Sequence, residues 1–447
     1  MSVSKERYDY HRERNSRGRM TTVGMTTAAD DWSDITILCN VVDNYGDIGF
    51  VYRLARSLSQ EAPQVRLRLV INGLDAFSEL APGIDNKAAR QTLGDWLVLD
   101  WNNDSVCTEE FTAHPPKVIL QCFQCERPQW LDDILFASDA VTSDADRTTH
   151  ILNIEYLTAE GYADEFHLLK SATRSSNVKK INFMPGFTEK TAGLVLDKPF
   201  LTYLSNREEA IKALQGSVLK YSLEALQNKN TFNVLVFSYY RDFQAVVKAL
   251  KKYQQERQKQ NPDFNIWVHI AGRYSYLDFK KAWVDEGEPF SISKMRFIPQ
   301  TAWDAFMSLM DFSFIRGEDS LSRACLVGVP FIWHAYPQTE EYQLVKVDAL
   351  LDRMKPFFCA EDFTALQRMW IFYNEGRLTL NGVEVADVLN KTGCSAMKNP
   401  DEIEFESLFT LLSHYDEIRR NFTEFARSLR TRDLTQNLIT YLRQLHF

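Results

Sequence analysis

The feature that most constrains the fold of this chain is the regular alternation of short apolar runs with amphipathic, helix-like segments. A first series starts near residue 34, and its strand-like runs are "ITILCNVV", "VRLRLVING", "KVILQCF" and "HILNIEYL". A second series starts at residue 231 with "TFNVLVFSYY", "FNIWVHIAG", "KMRFIP", "DFSFIRG" and "VPFIWHAY". Strands that alternate with helices predict parallel sheets covered on both faces. We therefore expect two doubly wound α/β domains that face a cleft.

The length of the chain fits this division. Its 447 residues suggest two or three domains, at about 150 residues per domain. Residues 31–200 are predicted to form an N-terminal Rossmann-like domain, which a C-terminal helix within 428–447 completes. Residues 201–230 are predicted to be a helical connector or insertion, and residues 231–427 a second Rossmann-like domain. Residues 1–30 are polar and lack the apolar stretch of a signal peptide, so a disordered tail is expected there.

Composition excludes several classes of protein. The net charge of −9 argues against nucleic-acid binding through a basic surface. We find no apolar run of about 18 residues, so no membrane span is expected. Seven cysteines without a framework indicate a reducing compartment, and we expect a cytoplasmic protein. Cys122 and Cys125 form a lone CxxC, which is expected to supply two core or loop thiols because a zinc site needs further ligands.

The loop after the first strand carries two carboxylates at a strand-to-helix turn. Asp43 and Asp47 lie four residues apart in "DNYGDIG", and a helix is expected to start at Ile48 or Gly49. Asp47 is either the N-cap of that helix or a functional group, and Asp43 is either a solvated loop residue or its functional partner. Ligands of doubly wound sheets bind beyond the carboxyl ends of the strands. Carboxylates placed there can bind a cation or act as a general base.

A second candidate stretch is "DFSFIRGEDSLSRACLVGVPFIWHAYPQ". It predicts a strand, a short helix that Gly328 closes, and another strand. The free N–H groups at the helix start, together with Arg316, suit an anion. Glu318 and Asp319 conflict with an anion there. Either Asp319 or Ser320 caps the helix, or a carboxylate holds sugar hydroxyls while backbone amides hold phosphate.

Aromatic residues also occur near strand ends of the second series. Phe237, Tyr239 and Phe297 are either core residues or a stacking surface for a base. His334 is expected to be a hydrogen-bonded structural histidine. No GxGxxG follows the first strand, and the sequence contains neither GxxxxGKS nor GxxxxGKT. Nicotinamide-dinucleotide and P-loop proteins are therefore disfavoured.

Five blocks in this sequence together resemble one family. "DNYGDIG", "LNIEYLTAEGY", "MPGFTEKTAGL", "FIPQ" and "RGEDSLSRACLVGVPFIWHAYPQ" resemble, in this order, blocks of the bacterial protein-arginine rhamnosyltransferase family EarP. The resemblance implies a GT-B glycosyltransferase fold, with two Rossmann-like domains facing a central cleft. It implies dTDP-β-L-rhamnose as donor and an arginine in the N-terminal domain of elongation factor P as acceptor. It also implies inversion at the sugar carbon without a metal. We expect no other cofactor and, from the charge and the apolar runs above, no direct nucleic-acid or membrane contact.

The resemblance also implies roles for individual residues. Asp43 and Asp47 match the essential aspartate pair, with Asp47 as the proposed base, and Glu318 is the third catalytic residue. Phe297 and Gln300 resemble base contacts, while the block around Arg316 resembles diphosphate and sugar contacts. The donor-binding residues implied in full are Asn44, Tyr45, Gly46, Phe237, Tyr239, Phe297, Gln300, Arg316, Asp319, Ser320 and Tyr336.

An arginine acceptor gives the aspartate pair a chemical purpose. A guanidinium has a pKa above about 12 and is therefore protonated at neutral pH, and a cation is a poor nucleophile. One aspartate can orient the guanidinium through paired hydrogen bonds, and a second can take a proton as nitrogen attacks. Two alternatives stay open at this point. One is a GT-B enzyme with another donor or acceptor, and the other is a non-catalytic factor-binding protein.

Overall fold

The fold is that of a computed structural model, which describes residues 32–42, 44–136, 148–338, 342–375 and 399–445. The tail predicted over residues 1–30 lies outside the described residues. Among those that are described, no helix has the length and apolarity needed to cross a membrane.

The first sheet has eight strands in the order β3-β4-β2-β1-β5-β6-β8-β7. Its interior is parallel, as the sequence predicts, and this prediction is confirmed. The edge pairs β3–β4 and β7–β8 are antiparallel. The sequence did not predict these edge strands, because they are only four and two residues long and largely polar. The strands are Asp34–Cys39 (β1), Arg66–Ile71 (β2), Arg90–Leu93 (β3), Trp96–Asp100 (β4), Val118–Cys122 (β5), Thr149–Ile154 (β6), Lys170–Ser171 (β7) and Val178–Phe183 (β8).

Helices cover both faces of this sheet. Alternate residues of a strand point to opposite faces, so Ile37 packs in one core and the adjacent Leu38 in another. Cys122 and Cys125 are divided in the same way between these two cores. Both are buried free thiols, which confirms their predicted structural character. The helices are Asn44–Glu61 (α1), Leu74–Leu80 (α2), Asp104–Ala113 (α3), Gln129–Phe136 (α4) and Tyr162–Phe166 (α5).

The second sheet is entirely parallel, in the order β11-β10-β9-β12-β13. The run "KMRFIP" was predicted as one of its strands, but the strand lies about three residues earlier in the sequence. Strand β10 dictates that register, because β11 pairs with it through Trp267 to Ile270. The strands are Thr231–Phe237 (β9), Asn265–Ala271 (β10), Ser291–Lys294 (β11), Phe312–Arg316 (β12) and Phe331–His334 (β13).

The helices of the second domain include the segment predicted as a connector. Within residues 201–230, Ala210, Leu214 and Leu226 are buried in the second core, so this segment forms part of that domain's packing. The helices are Lys198–Ser205 (α6), Arg207–Ala213 (α7), Lys220–Gln227 (α8), Gln244–Gln258 (α9), Arg273–Asp285 (α10), Gln300–Ser308 (α11), Glu318–Val327 (α12), Tyr342–Met354 (α13), Ala360–Glu375 (α14), Pro400–Ser413 (α15), Tyr415–Leu429 (α16) and Leu434–Leu442 (α17), with a 3-10 turn at Lys355–Phe357.

The last helix returns to the first domain. Residues Leu434, Leu438 and Ile439 of α17 are buried in the first core, whereas α16 packs in the second. Full burial of such a side chain is worth about 1.5–3 kcal/mol, so these contacts hold α17 on the first domain. The chain leaves the first domain near Leu194 and returns to it at Leu434. These two crossings lie side by side, because the Leu434 N–H donates to Leu194 O at 2.9 Å.

Candidate active site

Asp47 lies at the start of α1, beyond the carboxyl end of β1. Helix α1 begins at Asn44, so the predicted start at Ile48 or Gly49 is wrong and Asp47 lies within the first turn instead of capping it. Its carboxylate accepts a hydrogen bond from the Val42 N–H at 2.9 Å, which fixes the turn from inside the helix. Only 2% of Asp47 is exposed.

Two further predicted residues precede Asp47 in the same turn of the sequence. Asp43 lies outside the described residues. Asn44 is the first residue of α1, and its predicted role as a donor contact stays a prediction.

An aromatic pair that sequence analysis missed packs beside Asp47. Tyr156 stacks on Phe123, with ring centroids 4.3 Å apart and planes inclined by 16°. The Tyr156 hydroxyl is hydrogen-bonded to Asp47, and its pKa is raised by partial burial and by the Asp47 and Glu318 carboxylates. The phenol therefore stays protonated and donates to Asp47. The strand-end rule could have found both residues, because they follow the ends of β5 and β6.

The predicted strand, short helix and strand of the second stretch are confirmed as β12, α12 and β13. Gly317, before α12, has φ 73°, a left-handed conformation that glycine adopts without strain. Gly328 closes the helix in the αL conformation, as predicted. Neither Asp319 nor Ser320 is the N-cap, because Gly317 occupies that position and α12 begins at Glu318.

The Asp319 carboxylate is held inside the protein. Arg53 Nε donates to one of its oxygens at 2.8 Å and Arg53 NH2 to the other at 3.0 Å. Gln300 Nε2 donates to the same carboxylate at 3.3 Å and to Gly49 O at 2.6 Å. Arg53 and Gly49 belong to α1, so these contacts join the two domains.

Arg316 lies against the predicted aromatic residues at the end of β9. Its guanidinium carbon is 4.6 Å from the Phe237 ring centroid and 4.7 Å from that of Tyr239. Tyr239 also packs edge-on against Tyr336, at 5.5 Å between centroids. His334 is buried and hydrogen-bonded to Ser238 Oγ at 2.7 Å, which confirms its predicted structural role.

Most of the predicted donor residues line a cavity of about 460 Å³ between the domains. Tyr45 of α1 and Phe297 meet at its mouth, with ring centroids 5.3 Å apart. The side chains of Phe297 and Tyr45 are 55% and 41% exposed, which leaves aromatic surface for a ligand. Tyr336 packs against Tyr239 but does not itself line the cavity. The predicted residues that line the cavity are Tyr45, Gly46, Phe237, Tyr239, Phe297, Gln300, Arg316, Asp319 and Ser320.

Cations that sequence analysis missed also line this cavity. Arg273 starts α10, after Gly272 with φ 87°, and Lys294 and Arg296 lie at and just beyond the end of β11. With Arg316 they give a locally cationic wall in a chain of net charge −9. The arrangement suits an anionic ligand that carries a flat ring. The strand-end rule again supplies the signal that was overlooked.

A narrower cavity opens beside the first. Asp47 and Tyr156 line it from the first domain, and Glu318 and Asp319 from the second. Gly46 and Asp319 line both cavities. The site therefore places a carboxylate with its hydrogen-bonded tyrosine next to the start of α12, adjacent to the cationic cavity.

Comparison with known proteins identifies the family. The sequence profile described as "Elongation-Factor P (EF-P) rhamnosyltransferase EarP" matches residues 35–443. The chain belongs to the EarP family. This confirms the resemblance carried by the five sequence blocks, and it makes the chain a glycosyltransferase of the protein-arginine rhamnosyltransferase family.

Individual protein-arginine rhamnosyltransferases are also similar to this chain. A protein-arginine rhamnosyltransferase of Neisseria meningitidis is 30% identical over 346 residues, which cover 74% of this chain and 82% of the relative. One of Shewanella oneidensis is 30% identical over 326 residues, which cover 70% of this chain and 79% of the relative.

A solved structure supports the fold. It concerns the structural basis of EarP-mediated arginine glycosylation of translation elongation factor EF-P. The alignment covers 92% of this chain and 99% of that one, with a TM-score of 0.51 and 18% identity. The predicted GT-B fold of two Rossmann-like domains is therefore confirmed.

Proposed function

We propose that this EarP-family protein transfers L-rhamnose from dTDP-β-L-rhamnose to an arginine of translation elongation factor P, with inversion and without a metal. The observation that carries the proposal is the position of Asp47. It lies in a narrow cavity between Tyr156 and Glu318, directly beside the cationic, aromatic cavity. A base and a nucleotide-sugar pocket thus share one cleft.

The larger cavity supports a nucleotide diphosphate as donor. Tyr45 and Phe297 offer exposed rings on which a base can stack. Gln300 Oε1 is buried and has no hydrogen-bond partner among the described residues, so it can accept from the imide N–H of thymine. Arg316 and the start of α12 supply positive potential for the diphosphate.

The narrower cavity supports a guanidinium as acceptor. The Asp47 carboxylate can pair with the planar N–H fork and fix its direction. Asp43 is proposed as the second carboxylate of this pair. Orientation is the larger contribution, because positioning alone is worth about 7–11 kcal/mol in ideal intramolecular systems. Proton transfer to a carboxylate adds about 10²–10⁴-fold.

The reaction is proposed as a single displacement. An arginine nitrogen attacks the anomeric carbon of the sugar as the bond from that carbon to the diphosphate oxygen breaks, and the oxygen keeps the electron pair. The nitrogen gives one proton to Asp47, so the rhamnosylated guanidinium keeps its single positive charge. Glu318 faces the same cavity from α12, where a carboxylate stabilises positive charge that develops on the sugar. Attack from the side opposite the diphosphate inverts the anomeric carbon and needs no enzyme nucleophile.

Backbone N–H groups and Arg316 are proposed to take the place that a divalent metal has in other glycosyltransferases. They stabilise the charge that grows on the diphosphate as it leaves. Activity is therefore expected to persist after dialysis against a chelator. A loss of turnover that a divalent cation restores would contradict this part of the proposal.

The test is incubation of the purified protein with dTDP-β-L-rhamnose and elongation factor P, followed by intact-mass and peptide mass spectrometry. One deoxyhexose on an arginine of the factor is expected. A folded enzyme that adds no sugar to a folded factor would refute the proposal. Addition only with another nucleotide sugar would indicate a different donor, and binding of the factor without turnover would indicate a non-catalytic protein.

Asp47→Asn is the variant that tests the base. Asparagine keeps an oxygen that can accept from the Val42 N–H, so the fold is retained, and turnover is expected to fall by about 10²–10⁴-fold. Asp95→Asn is the matched control, because Asp95 is exposed between β3 and β4. Equal turnover of the two variants would exclude Asp47 as the base.

A further inference from the structure

A buried arginine at the domain boundary contacts neither cavity, yet it holds the two halves of the site together. Arg53 is 1% exposed and lies on α1, six residues after Asp47. Its guanidinium donates to both Asp304 oxygens, at 2.5 and 2.9 Å, and to both Asp319 oxygens, at 2.8 and 3.0 Å. One guanidinium thus bridges two carboxylates of the second domain, and its NH1 also lies 3.5 Å from the buried Asp197 carboxylate, which Arg323 shares.

One of these carboxylates, Asp319, lies at the candidate diphosphate site. Asp319 is in the first turn of α12, next to Ser320, and it lines both cavities. An uncompensated carboxylate at a helix start would oppose an anion there. Because Arg53 takes up this carboxylate, the helix start can receive a diphosphate although two acidic residues begin it.

Arg53 itself lies on α1, the helix that carries Asp47. Six residues of helix span about 9 Å, so Arg53 and Asp47 lie on one rigid rod. Gln300 adds a second joint, because its amide donates to both Gly49 O and Asp319. The position of α1 relative to α12 is therefore fixed by hydrogen bonds with defined directions.

We propose that Arg53 is a positioning residue, which neutralises Asp319 at the start of α12 and sets the register of that helix against the helix that carries Asp47. The proposal rests on the proposed function, because it takes α1 as the acceptor half-site and α12 as the donor half-site. Arg53 acts through two other groups and touches neither substrate. A buried ion pair can also be merely structural, so the test must separate these roles.

Two effects of Arg53 can be separated by substitution. Asp319→Asn breaks the joint but adds no negative charge, so kcat is expected to fall by about 10²-fold, as a misplacement of about 1 Å produces. Because the substitution removes a negative charge from the donor cavity, the affinity for dTDP is expected to increase. Arg53→Lys keeps the positive charge but loses the planar fork, so a lower kcat with unchanged dTDP affinity is expected.

Arg53→Met removes both effects. It leaves the Asp319 carboxylate at the helix start with only the more distant charge of Arg323 and the Gln300 amide, so dTDP is expected to bind about tenfold more weakly, in addition to the fall in kcat. Adding Asp319→Asn to Arg53→Met is expected to restore dTDP affinity to that of the wild type. The kcat of the double variant should be no lower than that of Arg53→Met, because both substitutions break one joint.

The matched control is Arg68→Met. Arg68 is also fully buried and paired with two carboxylates, Asp34 and Glu110, but it lies within the first domain. Its loss is expected to lower the melting temperature while kcat and dTDP affinity stay at wild-type values. Calorimetric titration with dTDP, thermal melting and initial rates of rhamnosylation supply the three readouts.

The outcomes separate this proposal from the proposed function. Wild-type kcat in both Asp319→Asn and Arg53→Lys would overturn the positioning role, as would a fall in kcat for Arg68→Met as large as that for Arg53→Lys. Failure of the double variant to recover dTDP affinity would overturn the charge role. If the wild type transfers no rhamnose, the proposed function fails, and the dTDP titrations still test the charge compensation of Asp319 by Arg53.

Discussion

Tyr156→Phe gives the sharpest test of how Asp47 is held. The substitution removes one hydroxyl and leaves the ring stacked on Phe123 at 4.3 Å. The lost group is the donor of a hydrogen bond to Asp47. If Asp47 receives the acceptor's proton, it must be aimed at the guanidinium, and this hydroxyl helps the Val42 N–H to aim it.

The size of the effect follows from the environment. A hydrogen bond to a charged group is worth about 1.5–3 kcal/mol. Tyr156 is 39% exposed, and solvent can replace part of the lost interaction, so the lower end of that range applies. We therefore expect kcat/KM to fall by about tenfold. The free energy of unfolding should fall by no more than about 1.5 kcal/mol, because the same hydrogen bond is lost from the folded protein while the stacked ring remains.

The assay is the initial rate of rhamnosylation of elongation factor P, measured by quenched-flow mass spectrometry, with thermal melting alongside. Tyr415→Phe is the control, because the Tyr415 hydroxyl donates to Asp311 O at 3.0 Å within the second domain and far along the chain from Asp47. Its rate should match the wild type. Tyr156→Phe is also combined with Asp47→Asn.

Two results would refute the reasoning. A folded Tyr156→Phe protein with wild-type kcat/KM would show that the hydroxyl does not aim Asp47. A further tenfold loss when Tyr156→Phe is added to Asp47→Asn would show that the tyrosine acts independently of that carboxylate.

Three further predictions concern stability. Burial lowers the pKa of His269 and His334 to about 3, so as pH falls the unfolded chain takes up a proton on each histidine before the folded chain does. The free energy of unfolding should therefore be unaffected by these histidines above about pH 6.5 and should fall by about 2 kcal/mol per histidine at pH 5. Urea unfolding at several pH values measures this, and a flat profile would contradict it. Burial raises the pKa of Asp433 to about 6, so its ionised form is disfavoured in the fold. Asp433→Asn should raise the melting temperature at neutral pH, by an amount that shrinks below pH 6 and vanishes near pH 4. Gly328→Ala should lower the free energy of unfolding by about 1–3 kcal/mol, because φ is 76° and an added Cβ would lie 3.2 Å from α16. Gly94→Ala should cost less in the same measurement, since its site is open.

The sequence by itself determined the parts of this protein that depend on neighbouring residues. The alternation of short apolar runs with amphipathic, helix-like segments predicted both parallel sheets. The tendency of glycine to end helices predicted the end of α12 at Gly328. The strand-end rule drew attention to Asp47 and to Phe237, because carboxyl ends of parallel strands meet at one edge. Each of these inferences uses interactions within about ten residues of chain, which a sequence displays directly.

Tertiary structure decided what joins distant segments. Helix α1 starts at Asn44, ahead of the predicted position, and the Asp47 carboxylate bonds back to Val42 instead of capping the helix. Tyr156 meets Asp47 only because β6 lies beside β5 and β5 beside β1. Arg53 and Asp319 are separated by 266 residues, and no local pattern couples two such side chains. Their pairing arises because two hydrophobic cores pack against each other, and the buried charges at that boundary must find partners there.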